Sequence, residues 1–220
     1  MGFKMPNGAT FEISSEFGPV IPISAVSNSN PAIVTAMQDL EDGAIVAIRS
    51  GWTRLNDRAA RVVAATDGEF SLENISTANK QAYPAASGVG SLQEVRAFVE
   101  ISQITDLASS GGDQQFLTFG FLADDDDRQM PTTKNPITMA ITVADDPDLP
   151  YVSECTEADE NKEIRVLRLN LPGGDSILYT GYVSITATPS LSRNNLMTRV
   201  ISVALAARPV RYRTTSEPTT

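Results

Sequence analysis

Four consecutive aspartates, Asp124 to Asp127, are the densest group of potential metal ligands in the sequence. Carboxylate oxygens bind Ca²⁺, and an EF-hand loop needs acids at alternate positions, a glycine at the sixth position and a glutamate at the twelfth. Counted from Asp124, the sixth residue is Gln129 and the twelfth is Asn135, so this pattern is absent. Three interpretations stay open: a solvated acidic loop, a loop that contacts a neighbouring subunit, and an ion site of another kind.

The candidate nucleophile is Cys155, the single cysteine of a chain that has no histidine. Histidine is the commonest general base and the commonest metal ligand, and the acids around Cys155 disfavour its thiolate. Phosphate-binding loops and nucleophile elbows are also absent from any strand-to-helix context. We therefore expect no catalytic residue, no metal site and no cofactor, and we expect that the protein is not an enzyme.

Charge and composition exclude further classes of protein. The chain has 220 residues, 17 basic and 27 acidic side chains and a formal net charge of −10. Phosphate affinity needs clustered Lys and Arg, so a nucleic-acid binder is disfavoured. No apolar run reaches the ~20 residues of a membrane span, and the N-terminal segment lacks the apolar region of a signal peptide. We expect a protein made in a cytoplasm, with no membrane contact.

The strongest structural signal is a set of three alternating segments near the C-terminus. Residues 164–171, 177–186 and 197–205 each alternate apolar and polar side chains, and the turn Pro172–Gly174 separates the first two. A period of two with β-branched residues and Gly/Pro boundaries predicts antiparallel strands with one buried face. The sequence therefore predicts a three-strand meander here.

Residues 28–74 contain short apolar runs separated by turns such as Asp42-Gly43 and Asp67-Gly68. Short strands joined by such turns predict a compact small β-barrel. The runs NPAIVTA, DGAIVAI, GWTRLN, RVVAAT and DGEFSLENI resemble a small module common in phage virion proteins, related to a β half-domain of ubiquitin-activating enzymes. That resemblance implies only the fold.

Residues 94–102 predict a strand whose even-numbered side chains, Glu94, Arg96 and Glu100 among them, share one face. Residues 114–122 are interpreted as its partner strand, and residues 123–135 as a loop. A strand is expected at 137–143 and a short helix at about 149–160, with Asp148 as its N-cap.

The order of these elements resembles a known family. A strand at 137–143, an acidic loop and short helix, RVLRLNLPGG, ILYTGYVSI, a bend, LMTRVISVAL and a closing Arg208-Pro209 are similar to the tail tube (major tail) protein of long non-contractile phage tails. The similarity covers most of residues 89–209 and includes a cluster of Tyr179, Gly181 and Tyr182. It implies hexameric rings that stack into a hollow tube, through which DNA passes without specific binding.

The same resemblance implies partners and a location. The partners are other copies of the chain and the neighbouring tail proteins, namely the tape measure, terminator and tip proteins. The protein would be made in the host cytoplasm and reside in the virion tail. An alternative is a monomeric β-sandwich that binds a ligand or decorates a virion.

We expect an all-β fold with one short helix: a β-sandwich or barrel core with an inserted small β-barrel module outside the ring. The predicted boundaries are 1–22 and 89–208 for the core, 23–88 for the module and 209–220 for a surface tail. The acidic parity of the strands predicts a negative lumen, and the loop at 123–135 is expected to bridge successive rings. The lumen-facing candidates are Glu94, Glu100, Glu12 and Arg96; the inter-ring candidates are Asp124, Asp125, Asp126, Asp127, Arg128 and Lys134.

Overall fold

The structure, a computed structural model, describes residues 7–213, in which fifteen strands and one short helix occur. The expected all-β class with a single helix is confirmed. The strands of the first half are β1 (Thr10–Phe17), β2 (Ile21–Val26), β3 (Ala32–Ala36), β4 (Ile45–Ser50), β5 (Arg58–Thr66), β6 (Glu69–Leu72), β7 (Gly90–Ile101) and β8 (Ile104–Gly111). They are followed by β9 (Gln114–Phe119), β10 (Arg128–Lys134), β11 (Ile137–Ala144), the helix α1 (Pro150–Asn161), β12 (Ile164–Asn170), β13 (Ser176–Ile185), β14 (Thr198–Leu205) and β15 (Val210–Tyr212).

Six strands of the first half close a small barrel, in the order β2-β3-β6-β5-β4-β7 with β7 returning to β2. Its core has Trp52 at one end, where the indole N–H donates to the Pro84 carbonyl at 2.7 Å and the ring meets Tyr83 edge-on at 5.2 Å. Leu55 and Leu72 are fully buried beside it. The segment at 76–89 is therefore pinned to the barrel through Tyr83 and Pro84.

The remaining strands form an antiparallel sheet in the order β7-β1-β12-β13-β14-β11-β8. The predicted meander is confirmed, because β12 pairs with β13 and β13 with β14. Helix α1 covers one face, and its buried Tyr151, Cys155 and Ala158 pack with apolar side chains from six of the strands. The opposite face carries mainly Ser, Thr and Ala on β11 and β14.

The expected N-cap of α1 is wrong. The helix has Pro150 in its first turn, where a missing N–H costs nothing, and its N-cap is Leu149 without a side-chain cap. Asp148 instead lies before the cap, where its own N–H donates to the Asp146 carboxylate at 3.2 Å. The helix ends at Lys162, whose φ of 54° is left-handed and stops the helical turn.

Strand β7 is part of both the barrel and the sheet. Gly90 to Val95 pair with β4, whereas Val95 to Ile101 pair with β1. The register between β1 and β7 is irregular around Arg96, which is the mark of a β-bulge. Val95 packs on the opposite side of the sheet from Val99 and Ile101. The expected uninterrupted alternation over 94–102 is therefore wrong, because the extra residue reverses the parity.

A third apolar cluster joins the barrel to the sheet. Ala59 of β5 and Val95 of β7 meet Leu178 of β13, together with Val210 and Tyr212 of β15. The surface-tail prediction is wrong for these last two residues, since β15 pairs with β13 and both side chains are buried. The rest of that prediction, residues 214–220, and the first six residues of the N-terminal core part lie outside the described residues.

The interpretation of 114–122 as the partner of the strand at 94–102 is also wrong. β9 pairs with β10, and β10 occupies most of the segment that was expected to be a loop. Phe116 lies opposite Pro131 and Leu117 opposite Met130. The sequence analysis assigned the wrong partner to 114–122 and did not predict β10, because strand pairing depends on which segments meet in space.

Candidate assembly surfaces

Residues 112–135 form an arm, a two-stranded hairpin of β9 and β10 that stands apart from both bodies. Its strands pair only with each other among the described residues. The base is closed by backbone bonds between Gly112 and Asn135 at 3.2 Å and between Asn135 and Asp113 at 2.9 Å. Every residue of β10 is exposed. An isolated two-stranded hairpin is marginally stable in water, so we expect this arm to gain stability from a packing partner, and no other strand of residues 7–213 pairs with it.

The tip of the arm carries apolar side chains and acidic side chains next to each other. Phe119 meets Phe121 edge-on at 5.8 Å, and the Arg128 guanidinium lies 5.9 Å from the Phe121 ring. Arg128 also pairs with Asp124 at 3.1 Å. Leu122 is fully exposed beside them. This aromatic and aliphatic surface has the character of a protein contact rather than of a solvated loop.

The structure places the six inter-ring candidates on this arm, but not together. Asp124 to Asp127 and Arg128 are at the tip, whereas Lys134 lies at the other end of β10, opposite Gln114. The sequence analysis did not identify the apolar residues of the tip as candidate contact residues. The spacing of Phe119, Phe121 and Leu122 was the available signal, but it was read as part of a buried strand.

Besides the three-residue strand β15, which pairs only with β13, two strands of the sheet have an unpaired edge among the described residues. β8 pairs only with β11, and the second half of β7, after Val95, pairs only with β1. β13 has neighbours on both sides, so it is interior. Natural edge strands are usually protected by Lys, Pro or a bulge. The sequence of β8, ITDLASSG, has neither Lys nor Pro, and its one register irregularity lies near its start, between Ile104 and Asp106.

The four lumen candidates lie on β1 and β7. Glu12 pairs with Arg168 at 2.5 Å, and the Arg168 guanidinium lies 4.2 Å from the Phe98 ring. Glu100 is directly opposite Glu12 and is exposed.

Glu94 and Arg96 pair with each other along β7 at 3.9 Å. The bulge at Arg96 separates this pair from Glu100. The structure therefore arranges the candidates as two small charge clusters rather than as one row.

The described residues give little support for a catalytic site or a metal site. Cys155 is fully buried, and that burial raises the pKa of its thiol to about 12. Within residues 7–213, no group of three or more His, Cys, Asp or Glu side chains is arranged to hold a metal ion. No helix of that region is long and apolar enough to cross a membrane.

The sequence of the chain matches one protein family. The model of the family described as phage tail tube protein, TTP, matches residues 50–214, well over half of the chain. The chain belongs to the phage tail tube protein family. A structural role in a phage tail and a location in the virion follow for this tail tube protein. The match begins at the last residue of β4, so it includes β5 and β6 of the barrel as well as the sheet.

Two solved structures resemble this tail tube protein. One is a virion of a native gene transfer agent particle, with 12% identity over 52% of this chain and 88% of that chain and a TM-score of 0.39. The other is the tail of an empty gene transfer agent particle computed with helical refinement and C6 symmetry, with 12% identity over 51% of this chain and 84% of that chain and a TM-score of 0.39. No curated protein matches the sequence.

Proposed function

We propose that this tail tube protein assembles into hexameric rings, which stack into a tube that conducts DNA during delivery. The observation that carries the proposal is the two long unpaired edges of the sheet, at β8 and at the second half of β7. Family membership supports the tube, and the sixfold number is the one implied by the resemblance to long-tailed phage proteins.

Ring closure follows from the two edges being different. The second half of β7 on one subunit can pair with β8 on the next, and both strands of such a contact gain partners for their free backbone groups. A contact between two different surfaces is heterologous, and it closes into a ring when the rotation between subunits divides a full turn. The seven strands of each sheet would then join into one large barrel around the lumen.

The arm supports stacking of the rings. Its strands pair with no other strand of the described chain, and its tip exposes Phe121 and Leu122. A contact along the axis buries this surface and orders the hairpin. Arg128 is engaged with Asp124 within the arm. Asp125, Asp126 and Asp127 therefore remain for a neighbour, with Lys134 at the arm base as a second contact point.

The lumen would be lined by the polar side of the sheet near β1 and β7. Duplex DNA carries about one charge per 1.7 Å, so a cationic wall repeated around a ring would hold it through counterion release. Glu12 and Glu100, which lie opposite each other on β1 and β7, would oppose such adhesion, and Arg168 pairs with Glu12. The bulge at Arg96 turns Glu94 to the other face of the sheet, so Glu94 and Arg96 are dropped as lumen candidates. Glu100 is left as the free acid, and DNA would pass without specific binding.

The proposed division into domains follows the same scheme. The core of residues 1–22 and 89–208 would build the ring, and the module at 23–88 would lie outside it. The tape measure, terminator and tip proteins would meet the ends of the tube. No enzymatic step is part of this role.

Electron microscopy of the purified protein at high concentration, together with light scattering on dilution, tests the proposal. Rings or tubes are expected, and a stable 23.6 kDa monomer at all concentrations would favour the alternative of a monomeric binding or decoration module. Ala108→Lys, on the free edge β8, is expected to abolish rings. Ile33→Lys, on the doubly paired strand β3, is the matched control and is expected to leave them intact.

The lumen is tested separately in virions. Replacing Glu100 by lysine is expected to leave tubes intact and to slow or block DNA delivery. Delivery at the normal rate would show that the lumen charge is not what keeps DNA free.

A further inference from the structure

The two ends of the small barrel carry opposite charge. One end consists of residues 37–44, where the chain passes from β3 to β4, and residues 64–69, where it turns from β5 into β6. We call it the acidic end, because it holds five exposed acids and no Lys or Arg. The five acids are Asp39, Glu41, Asp42, Asp67 and Glu69.

Hydrogen bonds hold the two segments of the acidic end together. The Gly68 N–H donates to the Asp39 carboxylate at 2.8 Å, and the Ala65 N–H donates to the Asp42 carboxylate at 2.8 Å. Both donors are neutral amides, so the two carboxylates keep their negative charge. None of the five acids forms an ion pair within residues 7–213. The whole charge of this end therefore stays available to a partner.

The basic end is the opposite end of the barrel, at residues 49–58 and 76–89. The Ser50 hydroxyl donates to the Gly88 carbonyl at 2.9 Å, so the two segments are in contact. The cations of this end are Arg49, Arg54, Arg58 and Lys80, and its acid is Asp57. The net charge of the basic end is therefore positive, although the chain as a whole has a net charge of −10.

Part of this charge is offset in the cleft between the barrel and the sheet. Arg49 and Asp57 line that cleft. Lys162 and Glu163 line it too, so two cations face two acids there. The three remaining cations of the basic end form no ion pair within residues 7–213, and they are Arg54, Arg58 and Lys80.

Arg58 lies next to another cation and has no carboxylate partner among the described residues. Its Nε atom is buried and has no hydrogen-bond acceptor. Burial lowers the pKa of Arg58, Tyr83 and Tyr212 oppose this shift, and the nearby charge of Arg208 adds to it. Arg208 is exposed and is likewise in no ion pair of the described chain. The basic surface therefore extends beyond the barrel to Arg208.

The acidic end that fits this basic surface must belong to another copy of the chain. Strand β5 runs from Arg58 at the basic end to Thr66 at the acidic end, a distance of about 25 Å at about 3.3 Å per residue. One copy therefore cannot bring its own two ends together. Like ends of two copies repel, so the favourable contact joins the basic end of one to the acidic end of the next. Such a contact is heterologous and can repeat from copy to copy.

We propose that the basic end of each barrel binds the acidic end of the barrel in a neighbouring copy. The contact is electrostatic, so it forms a salt-sensitive belt on the outside of the assembly and adds to the contacts made by the core. The inference rests on the proposed assembly, because exposed ion pairs are individually weak and gain strength when the core already holds the two copies together.

Carbodiimide coupling of the assembled full chain tests the placement. The reagent joins an amine to a carboxylate that touches it, and Lys80 is the one lysine of the basic end. Peptide mapping is expected to find Lys80 linked to an acid of the acidic end. Because the two ends of one copy are too far apart, such a peptide comes from two copies. Lys80→Arg keeps the charge and removes the amine, so this control should lose that peptide alone.

Charge reversal tests the chemistry. Arg54→Glu and Glu41→Arg are each expected to raise the concentration needed for assembly about threefold in dilute salt, the size of one exposed ion pair. The double variant restores the pairing and is expected to recover most of that loss. In about 1 M NaCl, where the Debye length is about 3 Å, the variants should match the wild type. Glu160→Arg, at an exposed position of α1, makes the same change in net charge and should cause no such loss.

The outcomes separate the two proposals. If the unmodified protein never assembles, the proposed function and this inference both fail. If it assembles but the peptide that contains Lys80 and an acid of the acidic end is absent, or the double charge variant shows no recovery, the barrels do not meet in this way while ring assembly stands. Binding of duplex DNA to the dilute wild-type protein that is lost in Arg54→Glu would assign the basic end to a polyanion and would also overturn the inference.

Discussion

The hydroxyl of Tyr212 links the C-terminal strand β15 to strand β5 of the barrel through a hydrogen bond. The variant Tyr212→Phe measures how much this hydrogen bond contributes to the free energy of unfolding. The oxygen accepts the backbone N–H of Arg61 at 2.9 Å, and Tyr212 is 1% exposed. Phenylalanine keeps the ring under the Arg61 guanidinium, 4.5 Å away, but leaves the N–H without its acceptor. An unsatisfied buried donor costs about 1–3 kcal/mol. We expect the free energy of unfolding at pH 7 to fall by that amount.

The loss should shrink at alkaline pH. Burial raises the pKa of Tyr212 from 10.0 to about 12. Between pH 10 and pH 12 the hydroxyl of Tyr212 keeps its proton in the folded state and loses it in the unfolded state. The wild-type protein therefore loses about 1.4 kcal/mol of stability per pH unit through this group as pH rises above 10. Tyr212→Phe has no such proton, so the two stabilities are expected to converge toward pH 12.

Urea unfolding followed by fluorescence of the buried Trp52, at pH 7, 9, 10 and 11, measures both effects in dilute protein. Tyr182→Phe is the control, because Tyr182 is 49% exposed and its loss should change stability by less than about 0.5 kcal/mol. An unchanged stability of Tyr212→Phe at pH 7 would refute the hydrogen-bond argument. Parallel pH curves for variant and wild type would refute the assignment of the alkaline slope to Tyr212.

Gly181→Ala is expected to destabilise the sheet by about 1–3 kcal/mol in the same assay, because the added Cβ would lie 2.5 Å from the Ala204 carbonyl oxygen; an unchanged midpoint would contradict the close approach of β13 and β14. Cys155 should react with a thiol reagent at pH 8 about a thousandfold more slowly in folded than in urea-unfolded protein, since burial raises its pKa from the ordinary 9.0 to about 12; equal rates would mean that the thiol is accessible. Replacing residues 26–88 by a Gly/Ser linker should yield insoluble or molten protein, because it strips β4 and β5 from the cluster shared with β15; a soluble, cooperatively folding core would show that the barrel is dispensable.

The parts of the fold that the sequence predicted are those with long, regular patterns. The meander of β12, β13 and β14 carries period-two alternation over seven to ten residues per strand, closed by Pro172–Gly174. The barrel was predicted from its Asp-Gly turns, and the helix from the segment at about 149–160, although its N-cap is Leu149 and not the expected Asp148. In each case local residues alone decide the conformation, so no knowledge of distant contacts is required.

The missed parts depend on which distant segments meet. β15 has three residues, too few for a period, and its burial comes from contact with Ala59 and Leu178. The bulge at Arg96 inserts one residue into an apparently regular strand, so the sequence alternates while the side chains do not. The open edge of β8 follows from the order of strands in the sheet, which no local signal encodes. The candidate surfaces were therefore only partly visible in the sequence: the acidic tip of the arm was, and the open edge of β8 was not.

Strand β7 is a single covalent path through both bodies, and this has a mechanical consequence. A force that pulls the barrel away from the sheet acts along the backbone of Gly90 to Ile101. The hydrogen bonds between β7 and β1 would then be loaded in shear. They would share the force together instead of breaking one after another. The far end of that ladder is the edge at which the proposed neighbour would pair. Tension on the outside of such a tube would therefore be passed along β7 to the joints between subunits, instead of being absorbed by a flexible linker.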